Sequence, residues 1–75
     1  MTAKTGLSRT ERTLAMRLDQ TMRARGMSTR MLAKRIGVDH RQVARWRRGF
    51  VTPGATYIVQ LAQALGVSTD YLLGH

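Results

Sequence analysis

Leu14, Leu18 and Met22 recur at four-residue spacing, which places them on one face of a helix. The stretch opens with Ser8-Arg9-Thr10-Glu11, a capping-box pattern, and stops before Gly26, so a helix is predicted over Arg9–Arg25. A shorter helix follows Ser28, with Met27 and Leu32 placed as a hydrophobic staple and Leu32, Ala33 and Ile36 facing inward until Gly37. Asp39 can cap a third helix over His40–Arg48, where its carboxylate accepts a backbone N–H that would otherwise be unpaired. Beyond a loop holding Pro53, apolar residues return at Ile58, Leu61, Ala62 and Leu65, predicting a helix over Ala55–Leu65 that Gly66 ends. Ser68 caps a last turn, Thr69–Leu73. No stretch alternates as a strand would, so the predicted fold is all-α, five short helices around one core. That core is assigned to Leu18, Leu32, Ala33, Ile36, Val43, Trp46, Ile58, Leu61 and Leu65.

An internal echo supports these boundaries. Leu32 to Asp39 and Leu61 to Ser68 share the pattern L-A-x-x-[I/L]-G-V followed by a capping residue. Two copies do not make a solenoid. They read as one local solution used twice: a helix ends at a glycine, a valine packs back, and a polar residue opens the next helix.

The third helix is the most cationic. At about 100° per residue, Arg41, Arg45 and Arg48 fall within a narrow arc, while Val43 and Trp46 point the opposite way. One face suits an anion and the other a core. A tight turn at Gly37 between two short helices is what a helix-turn-helix requires.

Seventy-five residues allow one domain with one modest core, an economy that favours a binder over a catalyst. With no cysteine there is no disulfide or thiolate site, and the two histidines, His40 and His75, give no credible zinc site. No cofactor, metal or small-molecule ligand is expected. All 13 Lys and Arg lie at or before Arg48, opposed there only by Glu11, Asp19 and Asp39. The rest of the chain carries only Asp70. A dense positive field beside a nearly uncharged remainder suggests polyanion binding in one part, and core formation or self-association in the other. The uncharged 21 residues from Gly49 to Thr69 are interrupted by Pro53, Gly54, Gln60, Gln63 and Gly66, which argues against a membrane span. The opening residues lack the apolar run of a secretory signal, so a cytoplasmic location is expected. Residues 1–8 read as a basic arm, with 9–74 as the folded domain; Lys4, Arg9 and Arg12 are either solvated charges or followers of a DNA backbone.

Met27-Ser-Thr-Arg-Met-Leu-Ala-Lys-Arg-Ile-Gly-Val38, then Val43-Ala-Arg-Trp46, Gly49, Pro53 and Leu61-Ala-Gln-Ala-Leu-Gly-Val-Ser-Thr-Asp-Tyr-Leu-Leu73 resemble the Cro and phage-repressor (XRE-type) helix-turn-helix family. The resemblance spans roughly Leu14 to Gly74 and implies a compact five-helix, lambda-repressor-like domain that binds double-stranded DNA, as a homodimer on a palindromic operator. It places the base-reading positions on His40, Arg41, Ala44 and Arg45, and backbone contacts on Thr29, Arg30, Gln42, Arg47 and Arg48. An arginine can donate two parallel hydrogen bonds to guanine, worth about 1–3 kcal/mol of discrimination. Ala44 would let the helix approach closely and touch a thymine methyl.

Two departures stand out. Arg47 replaces the glutamate often found after the tryptophan and favours phosphate binding; Asp39 replaces the usual serine cap and adds local repulsion toward DNA. The outward Thr56, Val59 and Gln63, with Tyr71 and Leu72 near the C-terminus, are the expected two-fold contact, setting half-sites roughly 10 bp apart. The expected function is a promoter-occupying repressor. The alternatives are an antitoxin or autoregulator of a small operon, a helix-turn-helix protein-interaction module such as an antirepressor, and lastly a cationic membrane-binding peptide. No spacing places a nucleophile, a base and an orienting acid together, so an enzyme is not expected.

Overall fold

A computed structural model describes residues 7–75, which form five α-helices and, among those residues, no strand. The helices are α1 (Arg9–Ala24), α2 (Thr29–Ile36), α3 (His40–Arg48), α4 (Ala55–Leu65) and α5 (Thr69–Leu73). The last three have the bounds read from the sequence, and α1 stops one residue sooner. Ser8 closes the capping box with Glu11: its hydroxyl accepts the Glu11 N–H at 3.1 Å, and the Glu11 carboxylate accepts the Ser8 N–H at 2.8 Å. Ser28 and Ser68 each accept an N–H three residues on.

All five helices end alike. A residue two past the helix, or three past it for α1, donates its N–H to the carbonyl five positions back: Met27 to Met22, Val38 to Ala33, Phe50 to Arg45, Val67 to Ala62 and His75 to Asp70, at 2.9–3.0 Å. This closure satisfies carbonyls that a helix end leaves unpaired, and it needs a left-handed residue just before the donor. Gly37 supplies it between α2 and α3 with φ 79°. The echo in the sequence is thus one closure, present in every helix.

Leu14, Leu18, Met22, Leu32, Ala33, Val43, Trp46, Leu61, Ala62, Leu65 and Leu72 form the buried core. Ile36 and Ile58, expected inside it, are only partly buried and pack against its edge. Leu72 corrects the sequence reading more sharply. It was assigned to a two-fold contact, but it is fully buried, because α5 lies across α1 and α4 and turns this side chain inward. Of the proposed arm, residues 1–6, including Lys4, lie outside the described residues, while Ser8 caps α1 and Arg9 and Arg12 belong to it.

Candidate nucleic-acid interface

The α2–turn–α3 unit is held from behind. Val43 and Trp46 are buried, α3 packs on both α1 and α2, and the Trp46 ring meets Tyr57 at a centroid distance of 5.3 Å. With its back fixed, α3 presents Arg41, Arg45 and Arg48 exposed on its outer side, and Gln42, Ala44 and His40 half-buried at its margins. Ala44 lines a shallow cleft with Arg23, Thr29, Arg47, Arg48 and Asp19, where the later turns of α1, the start of α2 and the second half of α3 converge. Thr29 and Ala44 therefore share one concave surface. Among the described residues, Arg30, Arg45 and Arg48 make no side-chain hydrogen bond or ion pair, although the Arg48 guanidinium lies 5.8 Å from the centre of the Phe50 ring.

The other two arginines of this helix are engaged. Asp39 caps α3 through Oδ1, which accepts the Arg41 N–H at 2.8 Å. The same carboxylate also takes the Arg41 side chain, Nε donating to Oδ1 at 3.2 Å and Nη2 to Oδ2 at 3.0 Å. These hydrogen bonds, the side-chain ones foremost, hold the Asp39 carboxyl well below the usual carboxylate range and raise Arg41 further. The His40 Nδ1 lies 3.7 Å from Asp39, beyond hydrogen-bond reach.

Arg47 was expected among the phosphate-binding cations. Its side chain is only 18% exposed, with Nε and Nη2 donating to Asp19 Oδ1 at 2.9 and 2.6 Å, and Nη1 to Thr29 Oγ1 at 2.8 Å. The physical reason is proximity: a fixed carboxylate at hydrogen-bond distance in a partly desolvated spot binds a guanidinium more strongly than screened solvent anions do. Burial by itself pushes the Asp19 carboxyl up, but the hydrogen bonds from Arg23 and Arg47 outweigh it and leave it lowered. Arg47 thus ties α3 to α1 and to the first residue of α2.

Other arginines stitch helix ends. Arg25 donates to the Leu65 carbonyl at 2.6 Å and Arg35 to that of Ala64 at 3.4 Å, both in the last turn of α4. Arg17 donates to the Tyr71 carbonyl at 2.7 Å, with its guanidinium 4.6 Å from the centre of the Tyr71 ring. Helix C-termini carry unpaired carbonyls and a partial negative charge, so cations settle there. α4 has no basic residue in its own last turn. The sequence contained this signal, a helix without its own C-terminal cation, but nothing in it named the donor.

The positive charge therefore divides into arginines held by protein acceptors, Arg17, Arg25 and Arg35 at the ends of α4 and α5 and Arg41 and Arg47 on α3, and Arg30, Arg45 and Arg48, which are free among the described residues. A helix-turn-helix family model matches residues 18–72 of the chain, which takes in all of α2, α3 and α4. The chain belongs to the XRE-type helix-turn-helix family. As a helix-turn-helix protein it is a DNA-binding regulator, with α2 and α3 as the motif's two helices. No curated protein and no solved structure matches the chain. Among the described residues of this helix-turn-helix protein, no helix is long and apolar enough to cross a membrane, and no cluster of His, Asp or Glu is placed to hold a metal ion.

Proposed function

We propose that the protein is a Cro-like repressor that occupies an operator by laying α3 in the major groove. One observation carries this reading: α3 buries Val43 and Trp46 and presents Arg41, Ala44, Arg45 and Arg48 together on its outer side, with Arg45 and Arg48 uncommitted to any protein acceptor among the described residues. Arg41 and Arg45 are the base readers, His40 and Ala44 touch the groove floor beside them, and Arg30, Gln42 and Arg48 hold phosphates. Thr29, at the start of α2, offers its backbone N–H to a phosphate while Arg47 fixes its side chain.

The length of α3 favours a second copy. Nine residues span about 13 Å, or roughly four base pairs, too short a word to single out an operator. Two copies related by a two-fold axis read two such words one helical turn apart, about 34 Å. The charge-free stretch supplies a surface for this. Met27, Val38 and Val67, the donors that close α1, α2 and α4, all pack against the core, whereas Phe50 at the same position after α3 is 68% exposed. Val51 and Val59 are exposed near it in sequence, and all three lie in the uncharged stretch from Gly49 to Thr69, with the Arg48 guanidinium at the edge beside Phe50. The two-fold contact proposed is Phe50, Val51, Thr56 and Val59.

Selection of bound duplexes from a random pool, repeated with Arg41→Ala and Arg45→Ala, tests the reading. A palindrome containing guanine is expected, with each substitution relaxing one position per half-site by about 1–3 kcal/mol. Absence of enrichment would remove the operator-binding proposal. Uniform weakening with a shallower salt dependence would demote both arginines to phosphate contacts.

A further inference from the structure

Asp39 stands where α3 would meet DNA, and a carboxylate there is an apparent cost, because it repels phosphate. Its geometry resolves the conflict. The carboxylate binds the Nε and Nη2 side of the Arg41 guanidinium, 3.2 and 3.0 Å away, while its Oδ1 is itself fixed by the Arg41 backbone N–H. Of the five N–H donors of an arginine, these contacts use two. Both N–H groups of Nη1 and the second one of Nη2 remain, and one from each nitrogen points in parallel off the adjoining, end-on edge of the plane. That edge is the parallel fork that matches O6 and N7 of guanine. Arg41 can therefore engage a base without releasing Asp39. The pair is well placed for it: Asp39 and Arg41 side chains are 52% and 73% exposed, so the clamp sits at the surface where a groove would arrive.

We propose that Asp39 is a positioning residue for specificity: it holds the Arg41 guanidinium side-on so that its end-on fork faces a guanine. This rests on the major-groove reading of α3 given above. Two consequences follow from the chemistry. An arginine held in one orientation discriminates better than a free one, which can turn to a phosphate or to another acceptor. The added negative charge meanwhile weakens binding to any duplex, whatever its sequence. Asp39 thus trades general affinity for discrimination at a single base pair.

The test uses the full chain, wild type and with Arg41→Ala, Asp39→Ser and Asp39→Asn, on the duplex that the wild type selects. Serine and asparagine both remain good helix caps, so α3 keeps its start, while neither can form the charged side-on pair. The position read by Arg41 is the one whose preference Arg41→Ala relaxes. There, the ratio of Kd for adenine over guanine should fall about five- to tenfold in both Asp39 variants, while binding to a random duplex tightens. Without DNA, the Nε–H resonance of Arg41 in a 15N-labelled sample should exchange slowly with water in the wild type and rapidly in both variants, a readout that a lost cap would not mimic. An unchanged ratio would reduce Asp39 to a cap, and a higher ratio would make it a quencher of Arg41; either overturns the proposal. A wild type that prefers no sequence overturns the operator reading as well. A sequence preference that Arg41→Ala leaves intact removes only the role of this pair.

Discussion

At Trp46, both ring faces are enclosed and the side chain is buried, yet its Nε1–H has no hydrogen-bond partner among the described residues. A buried donor left unpaired costs about 1–3 kcal/mol, so the ring must return more than that through packing on Tyr57 and the core. The two effects are separable by substitution. Trp46→Ala should lose about 3–5 kcal/mol in urea unfolding, through the cavity it leaves. Trp46→Phe should lose distinctly less, because it keeps much of the apolar contact and removes the unpaired donor. Equal losses for the two would show that the indole N–H finds a partner in solution.

Among the elements, the decisive link is Asp19 on α1, Arg47 on α3 and Thr29 on α2, since it fixes the angle at which the motif stands on the scaffold. Asp19→Asn leaves the Arg47 guanidinium partly buried without its counter-charge, whereas Arg47→Ala leaves Asp19 paired with Arg23 and strips Thr29 of its donor, so each should destabilise by about 1–3 kcal/mol, with Asp19→Asn the larger. The pH dependence has a definite sign. Asp19 is held below its ordinary value of 3.8 in the folded chain. Its contribution is therefore fully present above that value, and it is lost as the pH falls through the lower, folded one. The stability difference between wild type and Asp19→Asn, measured by urea unfolding, should accordingly shrink between pH 7 and about pH 2.5. A difference that holds constant across that range would mean that Asp19 acts through packing and not through charge. Arg47→Ala should also weaken DNA binding beyond the loss of one charge, because it frees Thr29 and the start of α2.

The described residues have principal extents of 36 × 26 × 22 Å and carry one helix-turn-helix, so reading two grooves calls for a second molecule. Sedimentation with and without a palindromic duplex should give a 2:1 complex. Val59→Arg, placing a charge on the proposed contact, should reduce it to 1:1 and lower affinity for the full palindrome while leaving the half-site affinity unchanged. A 2:1 complex that survives both Val59→Arg and Phe50→Ser would move the two-fold contact elsewhere. At this scale the formal net charge of +9 is less informative than it looks. Arg17, Arg25 and Arg35 face carbonyls of α4 and α5, and only part of the positive charge is free to meet phosphate.

Local physics made the elements legible in the sequence. Caps at Ser8, Ser28, Asp39 and Ser68, and glycines at the helix ends, act within a few residues of themselves, so α3, α4 and α5 could be bounded from the chain alone. The front and back of α3 were legible for the same reason, since a fixed turn per residue separates Arg41, Arg45 and Arg48 from Val43 and Trp46. What the periodicity could not settle was how each charged side chain is used. Asp19 and Arg47 are 28 positions apart, and Arg25 and Leu65 are 40 apart; only packing of the helices brings them into contact. Leu72 was misplaced for the same reason, because a five-residue helix has too few turns to declare its buried face. A helix chooses its own start, stop and stripe, but the neighbour against which it is packed decides which of its cations are left for DNA.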